Sequence, residues 1–343
     1  MKILGIESSC DETAAAIVEN GQTILSNVVV SQIDIHSAYG GVIPEVAARS
    51  HIEAILPVIH QALDDANLKV TDLDAIAVTH TPGLVGSLLV GTLAARTIAV
   101  VNNIPFYPTH HLKSHIYANW LSGYQPEFPL LAAVISGGHT QIIHMERHDH
   151  FEIIGTTRDD AIGECFDKIA KILGLPYPGG PSIAKAAEKG DANKYRFPHP
   201  KVEGLDFSFS GLKTAVLRAV QKEVGLPISH PSSDLKNHLT EAQICDFAAS
   251  FQKTAVDILL EKVDQALAQY GDIKSIVFAG GVSANQALRE AAKAHYSTPF
   301  FPEPKFSGDN GAMVAAACYF EITSGVEPVD PYKLNIYPRI EIA

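Results

Sequence analysis

Cysteine is scarce in this chain, with four residues among 343. The four, Cys10, Cys165, Cys245 and Cys318, are far apart and form no CxxC pair. This spacing argues against a cysteine-ligated zinc site and against a disulfide framework. We therefore expect the protein to work in a reducing compartment.

The sequence also lacks the patterns that direct a protein out of the cytoplasm or into a membrane. Its first residues, Met1 to Ile6, have a strand pattern without the charged, apolar and small-residue zones of a signal peptide. The longest apolar helical stretch, Gly83 to Val101, is interrupted by Arg96, whereas a membrane span requires about 20 uninterrupted apolar residues. The sequence predicts a cytoplasmic protein without membrane contact.

The composition is that of an ordinary globular protein. Hydrophobic residues make up 46% of the chain and charged residues 19%, and the formal net charge is −12. A chain of this length commonly folds into two domains of roughly 150 residues each. Each half can therefore bury a core of its own.

One order of elements, strand, strand, strand, helix, strand, helix, can be traced twice along the chain. In the first copy the periodicity predicts strands over residues 1–6, 14–18, 23–30 and 75–79, and helices over 44–65 and 83–101. In the second copy it predicts strands over 130–135, 141–145, 151–155 and 275–279, and helices over 161–173 and 283–294. The fold class is therefore α/β, with a mixed sheet and helices on both faces in each half and a ligand cleft between the halves.

This repeat predicts an N-terminal half over residues 1–122, a C-terminal half over 123–325 and a tail over 326–343. An insertion over about 176–234 interrupts the second half, and residues 185–222 within it carry eight Lys or Arg against four acids. Aromatic residues, Tyr195, Phe197, Phe207 and Phe209, are interleaved with these cations, which suits contact with a nucleic-acid backbone and its unpaired bases. A solvated lid is the alternative interpretation.

Two histidines four residues apart, His111 and His115, lie in a segment with a helical pattern. Positions i and i+4 share one helix face, so both imidazoles can point at one metal ion, although such pairs also occur as solvated or core residues. The segment follows Pro105-Phe106-Tyr107-Pro108, and a near copy at residues 299–302 precedes Asp309 and an Ala-rich helix. If the halves are related by a pseudo-twofold, the starts of the two helices face each other across the cleft. Asp309 is then the third ligand.

Two bends between predicted strands are rich in small and polar residues. The first contains Asp11 and Glu12, and the second is Ser136-Gly137-Gly138-His139-Thr140. Small residues let backbone donors approach a phosphate, and a carboxylate can approach its bound cation. An ordinary acidic hairpin is the alternative interpretation of the first bend.

Several ordered motifs resemble one known family. The bends at Asp11 and Ser136, together with residues 279–285, resemble the phosphate and adenosine motifs of the actin, Hsp70 and sugar-kinase (ASKHA) superfamily. Further motifs are HHLKSH at residues 110–115, CFDK at 165–168, YPGGP at 177–181, FSFSGLK at 207–213 and GDNGA at 308–312. With these, the chain from Gly5 to about Met313 closely resembles the bacterial TsaD family, tRNA adenosine threonylcarbamoyltransferases that were once called glycoproteases.

The resemblance implies a duplicated actin-like ATPase (ASKHA) fold and an acyltransferase activity on tRNA. The family moves a threonylcarbamoyl group from threonylcarbamoyl-AMP to the exocyclic amine of the adenosine 3′ of the anticodon in tRNAs that read ANN codons. The products are N6-threonylcarbamoyladenosine (t6A) and AMP. A TsaB-like paralogue and a TsaE-like ATPase are the implied protein partners.

Carried over onto this sequence, the resemblance implies three groups of site residues. His111, His115 and Asp309 hold one metal ion, with Fe²⁺ expected and Zn²⁺ as the alternative. Asp11 and Glu12 match an acidic pair that the family needs for activity, and either can take a proton from the attacking amine. The nucleotide contacts implied are Ile135, Ser136, Gly137, Gly138, His139, Asp167, Gly180 and Asn285.

Two other functions share part of these patterns. A metallopeptidase uses two histidines in His-Glu-x-x-His, but Leu112 stands at the position of the glutamate base. An actin-like ATPase or sugar kinase shares the fold motifs, yet it has no use for two histidines and an aspartate around one metal, and a fold alone does not assign chemistry.

Overall fold

The computed structural model describes residues 1–338, which separate into two compact units. Unit 1 comprises Met1–Phe128, Met145–Glu152 and the described residues from Pro302 onward, and unit 2 comprises Pro129–His144 and Ile153–Phe301. These units are discontinuous in sequence. The division at residues 122/123 and 325/326 follows the sequence repeat instead and stays a prediction.

The elements of unit 1 begin with the N-terminal strands and end with an apolar helix. They are β1 Lys2–Glu7, β2 Glu12–Glu19, β3 Thr23–Ser31, α1 Ile33–Ser37, α2 Pro44–Asp65, β4 Ala75–Thr81, α3 Val85–Asn102, β5 Phe106–His110, α4 His111–Leu121, α10 Pro304–Ser307 and α11 Gly311–Thr323.

Unit 2 carries the second sheet and the predicted insertion. Its elements, with the end of β7 and the start of β8 lying in the Met145–Glu152 segment of unit 1, are β6 Leu130–Ile135, β7 Thr140–Arg147, β8 His150–Thr156, α5 Ile162–Leu173, α6 Gly179–Ala187, α7 Ser210–Glu223, α8 Glu241–Tyr270, β9 Ser275–Ala279, α9 Gln286–His295 and β10 Pro299–Phe300. Short 3₁₀ helices cover Val70–Asp72 in unit 1 and Leu235–His238 and Gly281–Ala284 in unit 2.

The two sheets have the same strand order. The first is β3-β2-β1-β4-β5 and the second, read from its other edge, is β8-β7-β6-β9-β10. In the first sheet β1 pairs antiparallel with β2 and parallel with β4, and in the second β6 pairs parallel with β9. The predicted α/β class, with a mixed sheet in each half, is confirmed. The Pro-Phe-Tyr-Pro and Pro-Phe-Phe-Pro segments contribute to equivalent edge strands, β5 and β10.

Strand β1 is covered on both faces, which is why it reads as a nearly continuous apolar run. Leu4 and Ile6 belong to a core that they share with side chains of α2 and α3. The alternate residue Gly5 lies against α11, where an added Cβ would come within 2.3 Å of the Gly311 carbonyl oxygen. Because successive residues point to opposite faces, helices cover both sides of this strand. Glycine at both positions lets α11 approach the sheet closely enough to place Asp309.

The core of unit 2 includes much of the predicted insertion. Phe207 and Phe209 are 1% and 0% exposed, Phe197 is also buried, and Tyr195 stacks on Phe247 with ring centroids 3.8 Å apart. The prediction that these aromatics meet unpaired bases is therefore wrong. Their free energy of burial stabilises the fold, and only the cations between them are left for the solvent.

The segment 235–270, which has one continuous helical pattern in the sequence, is divided in the structure. Leu235 anchors a 3₁₀ turn in the core, and α8 then begins anew at Glu241. Thr240 caps α8 by accepting from the Gln243 amide, and the Gln243 side chain accepts in return from the Thr240 amide. This capping box fixes the start of the helix at Glu241, directly after its N-cap residue Thr240.

Candidate metal and nucleotide sites

The predicted metal ligands converge within unit 1, at the carboxyl end of β5 and beside the start of α11. Helix α4 begins at His111 directly after β5, so His111 and His115 project from its first two turns. Asn310 caps α11 by accepting from the Met313 amide at 3.0 Å and so fixes the backbone next to Asp309. The facing helix starts belong to this one unit, whereas the sequence prediction had them face each other across a cleft between the halves.

The geometry of this group suits a metal ion. The His115 Nε2 is 3.1 Å from Asp309 Oδ1 and the His111 Nε2 is 3.6 Å from the same oxygen. The two rings are 4.6 Å apart between centroids and inclined at 78°. Both histidines are buried and Asp309 is partly buried. Two imidazole nitrogens and one carboxylate oxygen therefore surround one point and leave further coordination positions open.

The buried carboxylate of Glu7 orients His111 through the Nδ1 atom of its ring. The Glu7 side chain is 0% exposed, and its Oε2 lies 3.0 Å from His111 Nδ1. The Thr79 hydroxyl donates to Glu7 Oε2 and the Ser9 amide donates to Oε1, both at 2.6 Å. With its Nδ1 engaged in this way, His111 presents Nε2 toward Asp309. Such a carboxylate–histidine pair is the usual support of a metal-binding imidazole.

His115 provides the test of whether these residues fit a metal. Among residues 1–338, no hydrogen-bond partner with acceptable geometry is found for either of its ring nitrogens, although the ring is 1% exposed. A buried polar atom without a partner costs about 1–3 kcal/mol. Coordination of Nε2 by a cation would remove that cost, so the group fits a metal ion.

Charges within this group move two pKa values. Burial lowers the pKa of His111, but the Asp309 and Glu7 carboxylates outweigh it and raise that pKa to about 9. Burial, with the neighbouring Asp309 and Asp11, raises the pKa of Glu12 to about 9. In the metal-free protein both groups therefore hold a proton at neutral pH.

The acidic pair lies in unit 1 on the bend between β1 and β2. Glu12 is the first residue of β2, and one of its oxygens accepts from the Ser31 hydroxyl at 3.1 Å. His51 of α2 braces the bend, because its Nε2 lies 2.9 Å from the Cys10 carbonyl oxygen and its Nδ1 lies 2.7 Å from the Thr13 hydroxyl. The Asp309 carboxylate contributes to the raised pKa of Glu12. Asp11 and Glu12 therefore lie in the same part of the unit as the predicted metal ligands.

The predicted nucleotide residues lie in unit 2, at the carboxyl ends of two parallel strands. The bend 136–139 follows β6, and the Ser136 amide donates to the His139 carbonyl oxygen at 2.8 Å. Gly280 follows β9 with φ +86°, and an added Cβ there would lie 2.5 Å from the Ile135 carbonyl oxygen. The Ile135 side chain is fully buried, so it offers a ligand only its backbone. Strand ends of this kind are where α/β sheets bind ligands.

Helices α5 and α6 begin beside this bend. The Gly163 amide in the first turn of α5 donates to the Ser136 carbonyl oxygen at 3.3 Å. One turn later, Asp167 Oδ1 accepts from the Gly179 amide at 2.6 Å, which ties the start of α6 to α5. Beside Gly180 an added Cβ would meet no described atom within 4 Å, so backbone there is accessible. Asp167 therefore stabilises the start of α6, in addition to its predicted contact with the nucleotide.

Asn285 has a structural role as well. It caps α9 by accepting from the Leu288 amide at 3.0 Å, and its side-chain amide donates to Gln252 Oε1 at 2.8 Å. These bonds hold the loop after β9 in place. The structure therefore brings the β6 and β9 loops and the starts of α5 and α6 to one edge of the second sheet.

The cations of the insertion lie largely at the surface of unit 2. Lys194, Arg196 and Lys201 are exposed and Lys213 is half-buried. Asp159 anchors the FSFSG motif between them, because its carboxylate accepts from the Ser208 and Ser210 hydroxyls at 2.5 and 2.7 Å and from the Phe209 amide at 2.7 Å. These hydrogen bonds hold the backbone of the FSFSG motif in place at this surface.

Helix α3 has an apolar exposed face. Its length and apolar composition are sufficient for a membrane-crossing helix, and 33% of this stretch is buried inside the protein. It packs against α2, where an added Cβ on Gly86 would lie 3.0 Å from the Ala48 methyl group. Both helices expose large apolar residues, namely Ile52, Leu56, Val85, Leu89 and Leu93.

Sequence reasoning missed Glu7, Ser9 and Thr79, which support His111. The only available signal was a single acid, Glu7, at the end of a buried apolar strand. An acid at such a place has to be paired when it is buried, so its position already indicated a cationic or hydrogen-bonding neighbour.

Comparisons with known proteins identify relatives of this chain. A family profile described as "TsaD: tRNA N6-adenosine threonylcarbamoyltransferase" matches residues 23–316. Proteins of that name from Caldicellulosiruptor saccharolyticus and Dehalococcoides mccartyi (strain BAV1) are 46% and 47% identical to this chain. The matches cover 100% of it and 98% and 99% of the relatives.

Solved structures with low sequence identity show the same fold. Component A of (R)-2-hydroxyglutaryl-CoA dehydratase from Acidaminococcus fermentans superposes with a TM-score of 0.51 at 16% identity, covering 94% of this chain and 99% of that one. HypF from T. kodakarensis superposes with a TM-score of 0.61 at 14% identity, covering 94% of this chain and 48% of that one. These likenesses concern the fold alone.

Proposed function

Because the chain belongs to the TsaD family of tRNA N6-adenosine threonylcarbamoyltransferases, which form t6A in tRNA, we propose that its two units divide the work of that reaction. Unit 1 holds the metal ion and the acidic pair, and unit 2 holds the nucleotide. The donor is threonylcarbamoyl-AMP, made by a separate enzyme in the cytoplasm. The acceptor is the adenosine 3′ of the anticodon in tRNAs that read ANN codons, and AMP leaves. The observation that carries this proposal is the convergence of the buried His111 and His115 rings on Asp309 Oδ1, at 3.6 and 3.1 Å.

We assign the metal to His111, His115 and Asp309. Two imidazoles and one carboxylate suit Fe²⁺, and Zn²⁺ is the alternative. When bound, such an ion supplies a Lewis acid that stabilises negative charge developing on the carbamoyl or carboxylate oxygens of the donor. Glu7 keeps the His111 ring oriented for this role through the 3.0 Å contact with Nδ1.

The loop after β6 supplies the nucleotide contacts of the proposal. Ile135 to His139 offer backbone amides to the single phosphate of the adenylate, and glycine at 137 and 138 leaves space for it, since an added Cβ there would meet no described atom within 4 Å. Asp167 accepts from ribose hydroxyls, and Gly180 and Asn285 border the adenosine. This assignment is supported by the position of the loop at the carboxyl ends of β6 and β9.

The acidic pair divides into a base and a neutral partner. Glu12, with its pKa raised to about 9, keeps its proton at neutral pH in the metal-free protein. Burial and the neighbouring carboxylates of Asp309 and Asp11 favour this protonated form of Glu12. We therefore assign Asp11 as the base that accepts the proton of the attacking amine, while Glu12 stays a hydrogen-bond donor.

The surface cations of the insertion contact tRNA in this proposal. Lys194, Arg196 and Lys201 are exposed on a unit whose core is well packed, and Lys213 follows the FSFSG motif. Lys and Arg neutralise phosphates and supply most of the sequence-independent binding energy. With the aromatics buried, we assign the surface to the tRNA backbone rather than to its bases.

Protein partners complete the proposal. The apolar residues exposed by α2 and α3 form a face where a TsaB-like paralogue docks, and a TsaE-like ATPase joins the complex. Aromatic and aliphatic residues clustered on a surface mark interfaces more often than chance exposure does. Leu89→Asp should abolish co-purification with the paralogue and leave metal content unchanged; unchanged co-purification would place the partner elsewhere.

The decisive experiment is incubation of the purified, metal-loaded protein with threonylcarbamoyl-AMP and tRNA, with modified adenosine measured by mass spectrometry. We expect t6A in tRNAs that read ANN codons and release of AMP in equal amounts. Formation of no t6A by metal-loaded protein, with and without its partners, would overturn the proposed donor.

A further inference from the structure

A second group of two histidines and one aspartate lies in unit 2, within the polar loop that joins α7 to α8. His230 Nε2 and His238 Nε2 lie 2.7 and 2.9 Å from the same oxygen of Asp234, Oδ2. The two rings are nearly perpendicular, at 87°, with centroids 5.6 Å apart. Three potential ligand atoms of the types that zinc prefers therefore point at one place.

These atoms are already close to the arrangement that a zinc ion requires. In a tetrahedral site with bonds of about 2.0–2.1 Å, neighbouring ligand atoms lie about 3.3 Å apart. The observed Nε2–Oδ2 distances of 2.7 and 2.9 Å are those of hydrogen bonds without an ion. A widening of about half an ångström per contact, within the reach of side-chain rotation, admits the ion between them.

The other oxygen of Asp234 is held by a supporting residue. Asn237 Nδ2 donates to Asp234 Oδ1 at 2.9 Å, which fixes the carboxylate plane and leaves Oδ2 turned to the histidines. A hydrogen bond to the second oxygen of a metal-binding carboxylate is a usual feature of built sites.

The backbone that carries the group is fixed to the core of unit 2. Leu235, adjacent to Asp234, is 0% exposed. The Gln221 side chain of α7 donates to the His230 carbonyl oxygen at 3.3 Å and to the Ile228 carbonyl oxygen at 3.1 Å. Pro231 directly follows His230 and restricts the loop further. Little conformational entropy remains to be lost when the three side chains close on an ion.

We propose that His230, Asp234 and His238 form a second metal site, one that takes a Zn²⁺ ion with water as its fourth ligand. The ion replaces the two Nε2···Oδ2 hydrogen bonds. A neutral imidazole then moves its proton from Nε2 to Nδ1, and a protonated one releases its Nε2 proton to solvent and keeps the proton on Nδ1. The site is separate from the group in unit 1, and its role is to clamp the loop between α7 and α8 at the edge of the basic insertion. It does not depend on the proposed transferase mechanism.

The test uses the full chain with the unit 1 site removed by His111→Ala and His115→Ala. The protein is freed of metal with a chelator, dialysed against metal-free buffer and titrated with Zn²⁺. Bound Zn²⁺ is then counted by elemental analysis, and Co²⁺ is used in place of Zn²⁺ as a spectroscopic probe of tetrahedral coordination. We expect one Zn²⁺ per chain and a Co²⁺ spectrum of a tetrahedral N/O site. Adding His238→Gln should weaken Zn²⁺ binding by at least about 100-fold, because a ligand is lost.

A matched control is available on α9. His295 contacts both Asp264 oxygens, at 3.0 and 2.9 Å, and is exposed to a similar degree as His238, but within residues 1–338 no second histidine joins this pair to make a group of three ligands. His295→Gln should leave Zn²⁺ binding unchanged. His238 is exposed, so its replacement should not unfold the core, and circular dichroism checks this. Unchanged stoichiometry and affinity in His238→Gln, or an equal loss in His295→Gln, would overturn the proposal.

Discussion

Single residues around His111 couple protonation to stability. The folded protein raises the pKa of His111 from 6.5 to about 9 and that of Glu12 from 4.5 to about 9. In both cases the folded state binds more protons than the unfolded state across the interval between the two values. Stability therefore falls as pH rises through this interval.

We predict that the metal-free protein is less stable at pH 9 than at pH 7. The stabilisation from protonated His111 is complete below pH 6.5 and is lost as pH approaches 9, and ionisation of buried Glu12 adds to the loss. Urea denaturation in a chelating buffer measures this loss of stability. A His111→Gln, Glu12→Gln variant should show a flatter profile between these pH values. A wild-type midpoint that does not change with pH, or an equally steep variant, would contradict the assignment.

The acidic pair gives a second prediction at this scale. Glu12→Gln should keep most of the transfer rate, since glutamine can donate a hydrogen bond as the neutral carboxyl assigned to Glu12 does. Asp11→Asn should lose roughly 10²–10⁴-fold, the usual contribution of a general base. The rates are compared at saturating threonylcarbamoyl-AMP and tRNA, and metal content serves as the control. A larger loss in Glu12→Gln than in Asp11→Asn would make Glu12 the base.

At the scale of elements, the position of Asp309 depends on how closely α11 approaches β1. An added Cβ on Gly311 would lie 2.5 Å from the Ala16 amide nitrogen and 2.7 Å from the Gly5 carbonyl oxygen. These are backbone atoms, which cannot rotate away. Any larger residue therefore pushes the start of the helix, and Asp309 with it, away from the histidines.

We predict that Gly311→Ala loses metal although it touches no ligand. Overpacking of this kind costs about 1–3 kcal/mol, and the displaced Asp309 should lower metal affinity nearly as much as Asp309→Ala or His111→Ala does. Gly308→Ala is the matched control, because its added Cβ would meet no described atom within 4 Å. Metal content after dialysis provides the measurement. Full metal content in folded Gly311→Ala protein would show that the approach of α11 is not limiting.

The elements also show what the sequence could predict. Helix α2, Pro44–Asp65, was located to the residue because proline starts it and apolar residues recur at helical spacing, and β6 and β9 were located because short apolar runs end in glycine-rich bends.

Other elements could not be predicted from local sequence. Helices α6 and α7 begin with Gly179-Gly180 and Ser210-Gly211, a composition typical of loops. The alternation in Phe207-Ser208-Phe209-Ser210 does not reveal that both phenylalanines enter the core, since burial there depends on contacts with distant residues. Glu7 was missed for the same reason, because its partner His111 is 104 residues away.

At the scale of the whole molecule, the distribution of charge determines how the protein attracts tRNA. The net charge of −12 would repel a polyanion, and we propose that the basic surface of the insertion supplies the attraction locally. Replacing Lys194, Arg196 and Lys201 with glutamine should weaken tRNA binding and lower the slope of log affinity against log salt by about 0.7–0.9 per lost contact. Lys69→Gln, at an exposed position of unit 1, is the control. An unchanged slope would leave this surface as a solvated lid.

The distribution of sites over two units separates a transferase from a kinase or ATPase of the same fold. Two imidazoles and a carboxylate form a site made by the protein alone, whereas the magnesium of a phosphotransferase keeps several waters and borrows the phosphates of its substrate. The loop after β6, which we propose holds the nucleotide, belongs to unit 2, and the histidines belong to unit 1. Loss of the metal group should therefore stop transfer without removing the nucleotide contacts.

We accordingly predict that His115→Ala loses t6A formation while it keeps most of its affinity for AMP, measured by calorimetry. The wild-type protein alone, given ATP without tRNA, should turn over little nucleotide. Given threonylcarbamoyl-AMP and tRNA, it should release AMP in step with modified adenosine. Gly137→Val is the reciprocal control, because a branched side chain in the open space beside the loop should weaken AMP binding and leave metal content intact. Rapid ATP hydrolysis that survives removal of His111 and His115, with no t6A formed from the adenylate, would instead indicate a kinase-like enzyme.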